Sequence, residues 1–261
     1  MNWHVCIDQM GNSLELPNPP HRIISLVPSQ TELLFDLGLE EQVVGITKFC
    51  VHPPHWRKSK AGIGGTKKFD LDRIVRLNPD LIIGNKEENY PEGILKLKEQ
   101  FPVWMSDITN FDHALSMIAS VAKMTDRESQ GELLLTTIQK GFDRLKHLPP
   151  LRTLYLMWRN PWMGAAGNTF IHSMMERVGL VNVLAGQDRY PELSADHIRE
   201  LQPALVLLSS EPFPFKEEHI VEIQTLLLQA RVLLVDGEFF SWYGSRLAKA
   251  PTYFNTLKIG R

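Results

Sequence analysis

The sequence predicts an α/β protein made of two related lobes, each with a mostly parallel sheet. Three observations support this: short apolar strands alternate with helices, the alternation occurs twice, and part of the first half recurs in the second. With 261 residues, of which 43% are hydrophobic, the chain can build a core in each of two lobes of about 120 residues. We therefore expect it to fold unaided.

The first block begins with a strand followed by a helix. The apolar run from Arg22 to Val27 ends at Pro28, and the next residues, from Ser29 to Glu32, are typical of a helix start. Leucines on one face continue the helix to Gly38, and residues 43–46 form another apolar run. A strand, a helix and a second strand in this order indicate a parallel sheet.

The second block repeats this order after two consecutive prolines at 149 and 150. Residues Thr153 to Met157 form its strand, and a helix from about Phe170 again ends at a glycine, Gly179. Seven positions of the first block recur 124 residues later. They pair Asp72, Ile74, Leu77, Pro79 and 81–83 with Asp196, Ile198, Leu201, Pro203 and 205–207. Such a repeat can serve stacking alone, but it favours two lobes that face one cleft.

The segment 110–149 has few strand formers and is predicted to be helical. Thr125 and Glu128 have the spacing of a capping box, so a single helix is expected from there to about His147, roughly 33 Å long at 1.5 Å per residue. A stiff connection of this kind limits hinge closure to small angles. The predicted boundaries are 1–109 for the first lobe, 110–149 for the linking segment and 150–261 for the second lobe.

Composition excludes several classes of function. The net charge is -2, with 28 basic and 30 acidic residues well mixed, so nucleic acid is not an expected partner. The two cysteines make no disulfide framework, no apolar stretch reaches the length of a membrane span, and the first 18 residues lack the pattern of an export signal. Hydrolase, phosphate-loop and dinucleotide motifs are also missing, and we expect a soluble monomer without catalytic residues.

Several segments, taken in order, resemble the cobalamin- and siderophore-binding proteins of ABC importers, the helical-backbone class of periplasmic binding proteins. The likeness rests on Arg22 to Ser29 with Thr31-Glu32, on Gly64-Gly65-Thr66, on Leu71 to Ile74, on Leu77 to Ile83 and on Pro203 to Val206. It implies two Rossmann-like lobes that are joined by one long helix and enclose a ligand cleft.

The same resemblance implies a function. The protein is expected to bind a metal-chelate nutrient, namely cobalamin or another corrinoid, a ferric siderophore or haem, and to deliver it to the permease subunits of an ABC importer. It requires no cofactor, and its expected location is periplasmic or otherwise extracytoplasmic. Because an export signal is missing from the sequence, a cytoplasmic corrinoid-handling protein or an enzyme on the same scaffold is the alternative. A module that senses a ligand for a protein partner is a third.

In the resembled family, one acidic residue on each lobe meets arginines of the membrane subunits. The matching positions here are Asp72 and Asp196, where that family often has glutamate. The sequence also offers a purely local role, because Asp70 and Ser194 are candidate N-caps and would place both aspartates in the first turn of equivalent helices. Both the docking role and the capping role are kept open.

Aromatic residues are abundant in the predicted loops that follow the strands. Such side chains suit a flat, partly apolar ligand, although packing within a lobe is the alternative for each. The candidates are Phe49, Trp158, Trp162, Tyr190, Phe213, Phe215, Trp242 and Tyr243. The resemblance to cobalamin-binding proteins gives particular support to Phe49, Trp162 and Tyr190.

Polar candidates for ligand contact occupy the same segments. Ser29 follows the first strand, Thr66 and Lys67 follow a glycine-rich turn, and Glu88 follows residues 81–83. Lysines can attract the carboxylates or catecholates of a siderophore, and the glutamate can bind amides of a corrin. The alternative is that these are solvated loop charges. Arg159 and Arg246 adjoin aromatic residues and are predicted to contact an anionic group, because a guanidinium can stack and pair at once.

Cys50, His52 and His55 form a Cys-x-His-x-x-His sequence that can ligate zinc, haem iron or corrinoid cobalt. A structural zinc site needs four ligands, and no second cluster is apparent in the sequence. We therefore expect no dedicated metal site, with His52 ahead of Cys50 if one of them ligates the metal of a bound chelate.

Overall fold

The computed structural model describes residues 3–259. These residues form two compact units. The N-terminal unit comprises residues 3–108, 112–139 and 243–248, and the C-terminal unit comprises residues 109–111, 140–242 and 249–259. The predicted boundaries at 109 and 149 stay a prediction. They assign residues 243–248 to the second lobe, whereas these residues belong to the N-terminal unit.

The N-terminal unit is built on a five-stranded parallel sheet. The strands of this unit are β1 Trp3–Ile7, β2 Ser13–Pro17, β3 Ile23–Ser25, β4 Val43–Ile46, β5 Ala61–Gly62, β6 Gly64–Gly65, β7 Lys68–Phe69, β8 Leu81–Asn85 and β9 Val103–Ser106. The helices are α1 Pro28–Asp36, α2 Trp56–Ser59, α3 Leu71–Leu77, α4 Pro91–Lys98, most of α5 Phe111–Met124 and the first part of α6 Glu128–Asp143. The sheet order is β5-β4-β3-β8-β9, and β1 and β2 form a separate antiparallel hairpin.

The C-terminal unit is built on a second, mostly parallel sheet. The strands of this unit are β10 Arg152–Trp158, β11 Trp162–Gly164, β12 Val181–Asn182, β13 Glu192–Leu193, β14 Leu205–Ser209 and β15 Arg231–Val235. The helices that follow α6 are α7 Phe170–Arg177, α8 Ala195–Leu201, α9 Glu217–Leu226, α10 Glu238–Ser241 and α11 Ala250–Thr256. A 3₁₀ helix, Ser245–Ala248, belongs to the N-terminal unit.

The two sheets repeat the same strand order. In the first, β4, β3, β8 and β9 are parallel neighbours; in the second, β12, β10, β14 and β15 follow in the same order. The central strands are buried in both, with residues 81–83 and 205–208 at 0% exposure. The predicted α/β class with two mostly parallel sheets is therefore confirmed. The antiparallel strands β11 and β13 at the edge of the second sheet are its main departure from the first.

Helices α3 and α8 begin and end in the same way, 124 residues apart. The Asp70 carboxylate accepts the backbone N–H of Arg73, and the Ser194 hydroxyl accepts that of His197. The predicted N-caps are thus confirmed. Both helices end in a left-handed residue, Asn78 with φ 44° and Gln202 with φ 42°.

An arginine at the start of each central strand secures the end of the same helices. Arg22 donates to the carbonyl of Leu77 at 2.6 Å, and Arg152 donates to the carbonyl of Leu201 at 2.8 Å. A positive charge at a helix C-terminus interacts favourably with the free carbonyls there. The duplication thus extends from strand order to individual side-chain contacts.

Other predicted elements agree to within one to three residues. Helix α1 ends at Asp36, shortly before Gly38, which has a φ of 76°. Helix α7 ends at Arg177, shortly before Gly179, which has a φ of 94°. Only glycine adopts this conformation without strain, which explains both stops. The first strand is shorter than predicted, from Ile23 to Ser25.

The linking segment differs from the single helix predicted between Thr125 and His147. It contains two helices, α5 and α6, and α6 has 16 residues, or about 24 Å at 1.5 Å per residue. The Thr125 hydroxyl donates back to the carbonyl of Val121 at 2.7 Å, so it ends α5 and does not cap α6. Asp126 then takes a φ of 56°, which interrupts the helical path.

Candidate functional site

The predicted ligand residues of the N-terminal unit lie where its parallel strands end. Ser29 is in the first turn of α1 after β3, Phe49 follows β4, Thr66 and Lys67 connect β6 with β7, and Glu88 follows β8. We call these five residues the N-terminal strand-end surface. Carboxyl ends of parallel strands meet at one edge of a sheet, which is where α/β proteins commonly bind ligands.

Phe49 is the most exposed aromatic residue of this surface. Half of it is accessible to solvent, and the Lys48 ammonium lies 5.0 Å from the ring centroid. A Cβ on Gly65 would approach the ring to 3.3 Å, so the glycine-rich turn runs close beside it. An exposed ring between a cation and a glycine backbone can offer one face to a flat ligand.

Lys67 and Thr66 are held by backbone contacts. The Lys67 ammonium donates to the carbonyl of Glu87 at 2.5 Å, and the Thr66 carbonyl accepts from the amide of Asn89 at 3.2 Å. Asn89 is buried and also receives the N–H of Asn85 on its side-chain oxygen. The turn after β6 is therefore tied to the loop after β8.

Glu88 and Tyr243 form a hydrogen bond within this unit. The buried Tyr243 hydroxyl donates to the Glu88 carboxylate at 2.6 Å. Burial, followed by the negative charge of Glu88, raises the pKa of Tyr243 well above its ordinary value, so the phenol stays neutral and acts as a donor. Tyr243 is 5% exposed, and its hydroxyl is already hydrogen-bonded to Glu88. Its predicted contact with the ligand stays a prediction.

Arg246 is buried in an ion pair that the sequence did not reveal. Its Nε and Nη2 atoms contact the two Glu32 oxygens at 2.9 and 3.0 Å, and both side chains are less than 10% exposed. This bidentate geometry matches the fork of a guanidinium to a carboxylate. The charge of Arg246 therefore already has a partner in the protein, and the predicted anion contact stays a prediction.

The Cys-x-His-x-x-His sequence is not assembled as a cluster. Cys50 is fully buried, and its sulfur lies 3.0 Å from the Thr31 hydroxyl and 3.2 Å from that of Thr47. Burial raises the pKa of the Cys50 thiol, which disfavours the thiolate that a metal needs. His55 is exposed and faces Glu40 at 3.1 Å, while His52 is half-buried. Across residues 3–259, no three His, Cys, Asp or Glu side chains are grouped so that they could share a metal ion.

The predicted residues of the C-terminal unit also lie mainly at strand ends. Trp158 is the last residue of β10 and is 39% exposed, and Trp162 is the first residue of β11. The prediction that both lie in loops was therefore wrong. Arg159 lies between them. Its guanidinium carbon lies 4.6 Å from the centroid of the Trp162 ring, and its nitrogens pair with both carboxylate oxygens of Glu222. The charge of Arg159 therefore already has a partner in the protein, and its predicted contact with an anionic ligand group stays a prediction.

Trp162 is largely buried in the core of this unit. It is 9% exposed and stacks parallel to Phe215 with 6.0 Å between ring centroids. Phe213 contacts Phe215 at 4.8 Å and the exposed Trp158 at 6.0 Å, so one aromatic cluster runs from the core to the surface. Tyr190 is half-buried, with the Arg189 guanidinium 5.7 Å from its ring. Trp158 and Phe213 are the accessible members of the predicted set in this cluster.

Sequence reasoning missed Glu211, a half-buried carboxyl group after β14. It accepts the Ser241 hydroxyl at 2.6 Å and the Trp242 indole N–H at 2.9 Å. Burial raises the pKa of Glu211 despite these two bonds, and the charge of Glu238 adds to the effect. The sequence did offer one signal for Glu211: it follows an apolar strand at the position equivalent to Glu87, which lies 124 residues earlier.

Glu211 is expected to make the protein less stable as the pH rises above the ordinary carboxyl pKa of 4.5. The folded protein holds this proton more tightly than the unfolded chain, so the stabilisation is complete below that value and is lost as the pH rises through the raised pKa. Glu211→Gln keeps both acceptor bonds without ionising. In melting curves from pH 4 to 8, wild type should lose stability relative to this variant. An identical course for both, or an equal effect of the exposed control Glu200→Gln, would contradict the assignment.

Asp72 and Asp196 occupy the predicted first turns of α3 and α8, and both are exposed. Asp196 pairs with Arg199 at 2.6 Å, and its side chain is 85% exposed. Asp70 and Ser194 cap the two helices, so Asp72 and Asp196 lie in first turns where a negative charge interacts favourably with the helix N-terminus, as the local role requires. The local role and docking are compatible, and docking stays a prediction.

Comparison with known proteins was consistent with these features. Residues 23–229 match the family described as periplasmic binding protein. The vitamin B12-binding protein of Pectobacterium carotovorum is 25% identical over 88% of this chain and 86% of its own length. A periplasmic heme-binding protein from Roseiflexus has a TM-score of 0.74 and 23% identity, covering 89% of this chain and 95% of its own. The periplasmic catecholate-siderophore binding protein of Vibrio cholerae has a TM-score of 0.80 and 13% identity, covering 98% and 100%. No helix within residues 3–259 has the length and apolar character needed to cross a membrane.

Proposed function

This chain belongs to the periplasmic binding protein family, and on that premise we propose that it binds a metal-chelate nutrient, a corrinoid in the first place, and delivers it to the permease subunits of an ABC importer. Proteins of the family bind solutes and are not enzymes. Family members are periplasmic, and we propose an extracytoplasmic site of action for this chain too. Ligand binding would require no cofactor.

The observation that carries the choice of a corrinoid is the vitamin B12-binding relative, which aligns with 88% of the chain. Haem and ferric siderophores are the alternatives, because proteins that bind them share the fold. All three ligands combine a broad surface with polar groups at the edge. Such a ligand needs aromatic faces for contact area and a few hydrogen-bonding groups for orientation.

The accessible aromatic residues supply this chemistry in each unit. Phe49 lies on the N-terminal strand-end surface, and Trp158 with Phe213 ends the aromatic cluster of the C-terminal unit. Lys67 and Glu88 add polar groups of both signs to the N-terminal strand-end surface. We propose that these residues contact the ligand; the predicted cleft between the lobes stays a prediction.

The test is a titration of the purified protein with cobalamin, haem and a ferric catecholate, followed by tryptophan fluorescence and visible absorbance. One ligand class should bind with micromolar or tighter affinity. Phe49→Ala and Trp158→Ala should each weaken that binding by about 5- to 30-fold, since loss of one aromatic contact is worth about 1–2 kcal/mol. Trp3→Ala is the matched control, because Trp3 is 62% exposed on β1, outside both strand-end regions.

Failure of all three ligands to bind would contradict the proposal. Tight binding that neither Phe49→Ala nor Trp158→Ala weakens would retain the ligand class and reject the proposed contacts. Cobalamin binding without stimulation of any permease would favour the corrinoid-handling alternative.

A further inference from the structure

A cavity on the N-terminal unit is not used by the proposed function. Its volume is about 310 Å³, and it is lined by residues of β1, β9 and α5. These residues are His4, Val5, Cys6, Ile7, Trp104, Ser120, Lys123 and Met124. None of them belongs to the N-terminal strand-end surface.

Three of the lining side chains are soft metal ligands. His4 and Cys6 alternate along β1 with Trp3, Val5 and Ile7, which are 62%, 63% and 66% exposed. Alternation on a strand therefore places His4 and Cys6 together on the opposite, half-buried face. Met124, the last residue of α5, adds a thioether and is 2% exposed.

The imidazole of His4 has an unsatisfied buried atom. Its Nδ1 makes no hydrogen bond among the described residues, although the atom is shielded from solvent. A buried nitrogen without a hydrogen-bond partner destabilises the folded protein. A ligand bound to Nδ1 would remove this cost. Cys6 is a free thiol, which leaves its sulfur available for coordination.

The spacing of His4 and Cys6 suits a shared ion. Residues two apart on a strand have their Cβ atoms about 7 Å from one another. Metal bonds of about 2.1 Å to nitrogen and about 2.3 Å to sulfur, added to the two side chains, span that separation. One ion on this face can therefore be bound by both residues.

The geometry points to a site for a soft monovalent metal ion, Cu(I) or the chemically similar Ag(I), bound by His4 Nδ1, Cys6 Sγ and Met124 Sδ. Sulfur ligands select such ions, whereas calcium and magnesium require oxygen ligands, and no carboxylate lines the cavity. A structural zinc site would need a fourth ligand of the same kind.

The surroundings of Cys6 set the proton balance of binding. Burial, together with the charge of Asp8, raises the pKa of the Cys6 thiol to about 11, so the thiol is protonated at neutral pH and binding must overcome this preference, as it would at Cys50. Unlike Cys50, Cys6 is only half-buried and lines a cavity that an ion can enter. The incoming ion displaces this proton to solvent as the metal–sulfur bond forms, and no change of oxidation state is involved.

The test is anaerobic titration of the full chain with Cu(I) held by a chromophoric competitor chelator. Wild type should bind one equivalent. Cys6→Ser should lower the affinity at least about 100-fold, and His4→Gln and Met124→Leu at least about tenfold each. Met10→Leu and His21→Gln are the controls, because they remove an exposed thioether and an exposed imidazole elsewhere in the same unit.

Full binding by Cys6→Ser, or equal losses in the control variants, would overturn the assignment. Thermal melts of the unloaded variants show whether each one is folded, so that lost binding is not confused with unfolding. Cobalamin titration of Cys6→Ser separates this site from the proposed function, since its affinity for that ligand should be unchanged.

Discussion

Arg246→Met is expected to lower the free energy of unfolding by about 3–5 kcal/mol, because it leaves the buried Glu32 carboxylate without its guanidinium partner. The two residues contact each other through two hydrogen bonds in a site that water hardly reaches. Urea unfolding, monitored by tryptophan fluorescence, measures the change. For comparison, Arg199→Met removes an ion pair whose side chains are 50% and 85% exposed, and should cost less than about 1 kcal/mol.

The double variant Glu32→Met with Arg246→Met distinguishes a lost charge pair from lost packing. Replacement of both charges by apolar groups removes the buried charge as well as its partner, so the double variant should be more stable than Arg246→Met alone. If the double variant is instead as unstable as the sum of the two single variants, the ion pair is not the cause.

Combined charge reversal, Asp72→Arg with Asp196→Arg, is expected to reduce ligand uptake at least about tenfold while ligand affinity stays unchanged. The reason is that both aspartates are exposed at repeat-related helix starts, where a partner with arginines would meet like charge after the substitution. Uptake in cells that carry the permease reports delivery, and titration of the purified protein reports binding.

Matched controls for this double variant are Asp112→Arg and Glu217→Arg, which reverse exposed acidic residues in the first turns of α5 and α9. They lose the same favourable interaction with a helix N-terminus. The Asp72 and Asp196 variant also loses the exposed ion pair with Arg199, so its stability should fall by up to about 1 kcal/mol more than that of the control pair. Normal uptake by the Asp72 and Asp196 variant, or equal loss in the control pair, would reject docking through these residues.

Local sequence signals predicted the repeated parts of the fold well. Caps at Asp70 and Ser194 and glycine stops at Gly38 and Gly179 depend on neighbouring residues, which the sequence shows directly. The helix expected from about Thr125 to His147 is present as α6, but the capping role of Thr125 was wrong. The same hydroxyl can cap one helix or end the previous one, and its bond to the Val121 carbonyl shows that it ends α5.

The candidate site was harder to predict because it depends on partners far apart in the chain. Arg246 was chosen for its aromatic neighbours, but its partner Glu32 is 214 residues away and left no local trace. Trp162 was placed in a loop, whereas stacking on Phe215 carries it into the core. Phe49, shortly after β4, and Trp158, at the end of β10, are accessible, and their predicted ligand contact stays a prediction.

Residues 243–248 complete the N-terminal unit, although they are synthesised more than 100 residues after the rest of it. Until they emerge, the nascent first half carries Glu32 without Arg246 and Glu88 without Tyr243. We therefore expect the first half to stay incompletely stabilised until residue 248 has been synthesised, well after most of the second unit. A chain truncated before residue 243 should then be a substrate for proteases.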